Sequence, residues 1–523
     1  MRPLHLRRNL SAFAIIGLLL TAAGCGGTAA PASSSTSGSA AATGAAAKPT
    51  PLHTVTVAQG TEPRSLDGNN DSTTAALNIY LSIYDALTAR NTAGDLVPGL
   101  ATAWKADGDT AWVFTLRQGV KFQNGDPFTA DDVVFTMNRI MNTKDNPQQD
   151  SLKNVTAVTK VDDNTVRFTT SVAIPVLPET LTGIPIVPAK YTQSSDQALA
   201  NHPVGTGPFM FSKYTHGEEL DLVANPNYWG GAPKIGKLVF LFMPDANARV
   251  DALKTGQADI ISNLPPELVS SIQSSPGLTV KTQLSNREIN ILLDETYKPF
   301  SDQQVRQALN YAVNVDSIIK NVLGGDAVRE PTMVPTGFVG SDPSLQPYPY
   351  DPAKAKQLLA AAGYGSGLSL TLQSPNGRYL KDSDVSQAVA ADLTTAGVKT
   401  TVQTYEWGNY VNQYFAHKLG PMFLIGNGSY TADACDNFSN ILGSDPYSWF
   451  HDPALDKQIN TACATVDQTQ RAALYQQIQK QVYTLAPVLF LYTEKDIYGM
   501  NAKLNWTPRR DEIIWLGDAS LQS

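Results

Sequence analysis

Between Cys25 and Pro51 the chain holds only small residues, prolines and one lysine, with no aromatic or large aliphatic side chain. No other feature constrains the fold as much. Such a stretch has nothing to bury and reads as a flexible tether, with a coil reach of about 25–30 Å. A packed core must therefore come from the residues that follow, from Pro51 onward. Ahead of the tether, Arg2, Arg7 and Arg8 precede an apolar run from Leu10 to Ala23. That run is too short to span a bilayer stably and has the build of an export signal.

The body supplies a core easily, since hydrophobic residues make up 42% of the 523. A formal net charge of −8 argues against a nucleic-acid partner, because no basic stripe is present to neutralise phosphates. Strand and helix signals alternate without repeats, which predicts an α/β protein. Trp112, Phe114 and Leu116 alternate as a half-buried strand. Thr129 caps a helix with Asp131 and Asp132 in its first turn and an inward stripe of Val133, Val134, Met137, Ile140 and Met141. The strands Val155–Val161 and Thr165–Thr170 flank Asp162-Asp163-Asn164 as a hairpin. Ser301 and Gln304 suggest a capping box for the helix carrying Val305, Leu309 and Ala312. Asp351-Pro352 opens another helix, which stops at Gly363.

Catalytic signatures are missing: there is no GxSxG elbow, no HExxH and no GxxxxGK[ST] loop. No enzyme activity, cofactor or metal is expected. The lone Gly205-Thr206-Gly207 turn reads as a structural bend. Cys435 and Cys463 are the two cysteines of the body. In an oxidising compartment an isolated pair suits a disulfide, worth about 3 kcal/mol by the chain-entropy account. A metal site is the alternative, although no histidine sits at zinc-like spacing.

Leu20-Thr21-Ala22-Ala23-Gly24-Cys25 resembles the lipobox of bacterial lipoproteins. The resemblance implies that Cys25 is acylated and anchors the chain to the outer face of the cell membrane, or within a periplasm. Six further motifs occur in order: Thr61 to Asp67, the run Ile83 to Ile140, His202-Pro-Val-Gly-Thr-Gly-Pro-Phe209, Asn225 to Gly230, Val305 to Ala312, and Tyr350 to Leu359. Together they resemble the family 5 extracellular solute-binding proteins of ABC importers, the dipeptide, oligopeptide and nickel-complex group. That resemblance implies a two-lobed periplasmic-binding-protein fold of the large type, with an extra subdomain and a hinge of two chain crossings. It implies a monomer that closes on a small polar ligand and delivers it to importer permease subunits.

The expected organisation is a signal peptide over 1–24, a tether over 25–50 and a first lobe over 51–294 with the extra subdomain near 96–204. A second lobe covers 295–495, and 496–523 return to the first. Crossings are expected near Asp294–Lys298 and Thr493–Asp496. A peptide is the first expectation for the ligand. An oligosaccharide or other non-peptide solute, or a sensory module without transport, stands as the alternative.

The resemblance also implies the pocket. Family peptide binders hold the ligand's amine with an acid after a lobe-two strand. Here Asn427 stands where tryptophan is usual, and Tyr430 where the amine-binding aspartate would be. Asp433, three residues on, is the candidate substitute. Arg378 lies in the segment that grips a ligand carboxylate, for which a guanidinium gives bidentate geometry. Trp407 matches a cleft aromatic, whereas Tyr410 reads as packing. Thr61 and Glu62 follow the first strand and face the cleft.

Overall fold

The computed structural model describes residues 53–195, 197–443, 445 and 448–522. The signal peptide, the tether and Cys25 lie outside the described residues. The backbone of the body is one eleven-stranded mixed sheet. Ten of its strands run in the spatial order 398–406, 368–376, 422–428, 278–293, 488–501, 260–261, 53–59, 235–242, 219–224 and 209–215, and the eleventh, 327–329, pairs with 488–501.

Two long antiparallel strands, Leu278–Leu293 and Val488–Asn501, form its centre and belong to both halves. Residues 278–284 pair with 495–501 on the side of the first lobe. Residues 287–293 pair on their other edge with 422–428 of the second, while 288–292 also keep partners in 488–493. Between these stretches the pairing slips: Leu284 faces Lys495, yet Glu288 faces Thr493. Ser285 and Asn286 leave the ladder there, and the Asn286 N–H donates to the Arg510 carbonyl. The break falls about two turns of strand before Asp294–Lys298, where the sequence placed the first crossing. Asp294–Tyr297 is instead a turn ahead of Phe300, which is buried in the core of the second half.

Three apolar cores form. One fills the second lobe around Ile289, Leu309, Leu372, Phe423 and Tyr475, and a second fills the first lobe around Val55, Tyr80, Phe209, Phe240 and Met500. The third draws on residues between Leu87 and Val204. It lies under a four-stranded antiparallel sheet that holds the strands Ala101–Ala106, Ala111–Leu116, Thr165–Thr170 and Val155–Asp162. Helix Ala130–Asn142 covers that sheet with Val133, Met137 and Ile140 inward. Its capping box is closed by Thr129 and Asp132, the Thr129 N–H donating to Asp132 Oδ2 at 2.9 Å.

The helix Gln303–Ala312 is capped differently from expectation. Asp302 accepts from the Gln304 N–H at 2.8 Å, while the Ser301 hydroxyl turns back to the Lys298 carbonyl. Pro299 has already committed 298–301 to a tight turn, so the cap moves one residue on. Asp351 and Pro352 open the helix Pro352–Ala361. Cys435 and Cys463 form a disulfide with Cα atoms 5.5 Å apart, joining the helices Ala434–Asn437 and Pro453–Cys463. Among the described residues no helix is long and apolar enough to cross a membrane.

Candidate functional site

The two lobes meet over a cavity of about 220 Å³ and a smaller one of about 40 Å³. Thr74, at the start of helix Thr74–Ile83, and Arg378 line both, so the two are neighbours. Arg378 follows strand Leu368–Asn376, in a loop held by Asp382, whose carboxylate accepts the N–H groups of Gly377, Arg378 and Tyr379. Burial pushes the Asp382 carboxyl up to about 6. The loop closes tightly on the first lobe, since a Cβ on Gly60 would lie 2.5 Å from the Gly377 carbonyl oxygen. The Arg378 guanidinium lies over the rings of Tyr379 and Trp407, at 4.9 and 5.5 Å from their centroids.

Beneath the cavities lies a buried ionic joint. Arg287 donates to Glu512 through Nε at 2.7 Å and Nη2 at 3.0 Å, to Thr74 Oγ1 at 2.7 Å and to the Gly426 carbonyl at 2.7 Å. One guanidinium thereby ties a strand of the second lobe to a helix of the first and to the C-terminal segment. Gly426 permits this close approach, because a Cβ there would meet Arg287 Cδ at 2.9 Å. Glu494 lies 3.9 Å from Arg287, and Glu512 lies 3.7 Å from Arg378. Asp496 completes a group of three carboxylates with oxygens within 4.8 Å of one another. Burial opposes the Arg287 charge, but Glu512 and its neighbours more than offset that and hold the guanidinium firmly protonated. Burial, then repulsion from Glu512, pushes Glu494 up to about 7 and Asp496 well above the carboxylate range.

Of the residues expected in the pocket, Arg378, Trp407, Asn427 and Tyr430 line the larger cavity, and Thr61 lines the smaller. Glu62 lines neither. Its Oε2 accepts from the Tyr214 hydroxyl at 3.0 Å and the Gly217 N–H at 2.9 Å, beside the His216 ring, so it is spent on a strand edge of the first lobe. Asp433 also misses both cavities. It is buried, accepts from Arg471 Nε at 2.9 Å and caps the Cys435 N–H at 3.1 Å. With one oxygen on Arg471 and the other on a helix end, it has no charge left for a ligand amine. Asp436 lines the larger cavity instead, its Oδ2 accepting from the hydroxyls of Ser429 and Thr431 at 2.8 Å each. Tyr410 packs, as expected, its hydroxyl donating to the Leu424 carbonyl at 2.6 Å.

Sequence reading passed over Arg287, Asp436, Glu494, Asp496 and Glu512. One signal was present: Glu494 and Asp496 follow the apolar run 488–492 in one strand, and their spacing of two puts both on one face. A third cavity, of about 330 Å³, lies beyond Tyr430 and is walled by Tyr84, Tyr228, Trp229, Trp506 and Trp515. On its wall Asp85 accepts from Thr206, Tyr228 and Trp229, Arg90 donates to the Tyr430 and Gly94 carbonyls, and Arg509 pairs with Asp511.

A two-lobed α/β body with a polar cavity closed between its lobes is the build of an extracytoplasmic binding protein. Residues 95–449 match the family described as Bacterial extracellular solute-binding proteins, family 5 Middle, and the chain belongs to that family. It is a binder rather than an enzyme. Among its relatives are di/tripeptide-binding protein 1 of Pseudomonas aeruginosa, 30% identical over 78% of this chain and 82% of its own, and heme-binding protein A of Haemophilus influenzae, 31% identical over 75% and 78%. A solved structure with the same fold is the periplasmic binding protein DppA of Helicobacter pylori with the peptide STSA. It superposes with a TM-score of 0.83 at 24% identity, over 90% of this chain and 98% of that one.

Proposed function

We propose that this chain captures a small peptide between its lobes and passes it to the permease subunits of an ABC importer, tethered to the membrane through an acylated Cys25. One observation carries the ligand class. Arg378, which lines both interlobe cavities, keeps its Nε–H buried without a hydrogen-bond partner. A buried donor left unmade costs about 1–3 kcal/mol, and a ligand carboxylate relieves that cost with charge-assisted hydrogen bonds. Trp407 and Tyr379 hold the guanidinium plane, so the carboxylate meets a fork already oriented. The di- and tripeptide binders among the relatives support the same ligand class.

The working boundaries are a first lobe over 51–294 and a second over 295–495, with 496–523 returning to the first. Ligand shifts the population toward the closed form by binding it better than the open one. Arg378→Lys keeps the charge and loses the planar fork. A di- and tripeptide library read by native mass spectrometry should show binding to the natural chain, weakened by about tenfold or more in Arg378→Lys. Retention of a sugar with no peptide bound would reject the ligand class. Cys25→Ala should release the protein from membranes, since one acylated cysteine is the only anchor this reading gives it.

A further inference from the structure

The small cavity poses a problem of charge that the peptide reading leaves unsolved. A peptide brings an ammonium as well as a carboxylate, and burying an ammonium without a partner is prohibitive. The position that carries the amine-binding acid in resembling proteins is Tyr430 here, and Asp433 is consumed by Arg471. Of the carboxylates lining the larger cavity, Asp436 has its Oδ2 on two hydroxyls and Asp150 pairs with Lys153 at 3.1 Å.

Asp496 differs from all of these. It lies just past the slip in the central strand pair, is 8% exposed and lines the small cavity, yet its Oδ2 has no hydrogen-bond partner. Glu512 lines the same cavity and Glu494 is the third acid of the group, and Arg287 neutralises Glu512 by a bidentate contact. The Asp496 side chain thus borders a space of about 40 Å³ with its buried Oδ2 unpaired. We propose that Asp496 is the cation subsite of the cleft, and that this protein selects solutes carrying a free primary ammonium, which enters the small cavity while the rest of the solute occupies the larger one. The inference rests on the solute-binding reading above and names the ligand's charged end.

Size and charge choose among cations. A guanidinium or quaternary ammonium is bulky for a space of this volume. Arg378 lines the same cavity and Arg287 holds Glu512 at 2.7 Å, so a divalent metal meets more repulsion there than a monovalent ammonium. A monovalent ammonium needs one carboxylate and two neutral acceptors. In the empty site burial and Glu512 favour a proton on Asp496, and a bound ammonium supplies that positive charge in its place.

The test uses the full chain and two probes. Methylammonium chloride, compared with sodium chloride at equal ionic strength, should raise the melting temperature of the natural protein and leave Asp496→Asn unmoved. Peptides of the library with free N-termini should bind the natural chain about 30-fold or more tighter than their N-acetylated forms, and Asp496→Asn should erase that preference. Unliganded Asp496→Asn should melt no lower than the natural chain, because it removes an unpaired buried acid. A drop instead would mean a merely structural role and would overturn the assignment. So would a methylammonium shift that is absent from the natural chain or survives in Asp496→Asn, or a shift produced by manganese or calcium and not by methylammonium. If no peptide binds while the Asp496-dependent methylammonium shift remains, the peptide reading fails and the cation subsite stands. If peptides bind the natural chain and Asp496→Asn alike, the reverse holds.

Discussion

The four-stranded subdomain and the ionic joint between the lobes are both buried, and they are built on opposite principles. The subdomain sheet packs Phe114 against Phe168 with ring centroids 5.2 Å apart, over a helix whose apolar stripe comes from one short stretch of chain. Its partners lie within about a hundred residues of one another. The joint gathers Thr74, Arg287, Arg378, Glu494, Asp496 and Glu512 from across the whole body. Apolar packing tolerates the loss of a partner at the cost of a cavity. A buried ion pair that loses its partner leaves an uncompensated charge, which is a different penalty. The first region supports the fold, and the second connects the fold to its ligand.

That contrast can be broken experimentally. Arg287→Ala should give the largest effect, about 3–5 kcal/mol of lost stability by denaturant unfolding, because Glu512 is then buried without its counter-charge. Adding Glu512→Gln should recover a substantial part of the loss; failure to do so would mean that Arg287 acts mainly through packing. Phe114→Ala in the subdomain should cost about 3–4 kcal/mol through the cavity it leaves, and no second substitution of a charged group should restore it.

Acidity separates the regions further. Burial first, and then Glu512, pushes the Glu494 carboxyl up to about 7 in the folded protein. In an unfolded chain a glutamate titrates near about 4.3. The folded state therefore binds the extra proton. The stability this contributes is complete below the unfolded value and is lost as pH rises through about 7, on the order of 1–3 kcal/mol. Unfolding measured at pH 5 and pH 8 should show this fall in the natural chain, and Glu494→Gln should reduce it, leaving the part that Asp382 and Asp496 contribute. The Phe114→Ala loss should be the same at both pH values. The smallest expected effect is Thr129→Ala, about 1 kcal/mol, from opening the capping box of the subdomain helix. A loss several times larger would show that this helix end carries more than local structure.

How much was legible follows the range of each interaction. The helix cap at Thr129, the hairpin at Asp162-Asp163-Asn164 and the helix start at Asp351-Pro352 depend on neighbours a few residues away, and they stand as read. The cap at Asp302 was displaced by one residue because Pro299 acts locally in a way the Ser-x-x-Gln pattern ignores. In the cleft, the aromatic and basic residues Trp407 and Arg378 line the cavity, since each follows directly from a strand whose end faces the other lobe. Asp433 and Glu62 went elsewhere for reasons no short window contains. Arg471 is 38 residues from Asp433, and the Gly217 N–H is 155 residues from Glu62.

The sequence by itself determined the α/β architecture, the family and the local caps and turns, because backbone preferences and apolar periodicity act over a few residues. Tertiary structure alone decided which charges face the ligand. A carboxylate is free or spent according to which guanidinium or N–H the fold brings within 3 Å. For Asp433 that partner is Arg471, at 2.9 Å. For Asp496 Oδ2 there is none, because the slip between the central strands leaves it beside a cavity instead. Coulomb energy and desolvation depend on distance and burial in space, and neither quantity is written in the order of the residues.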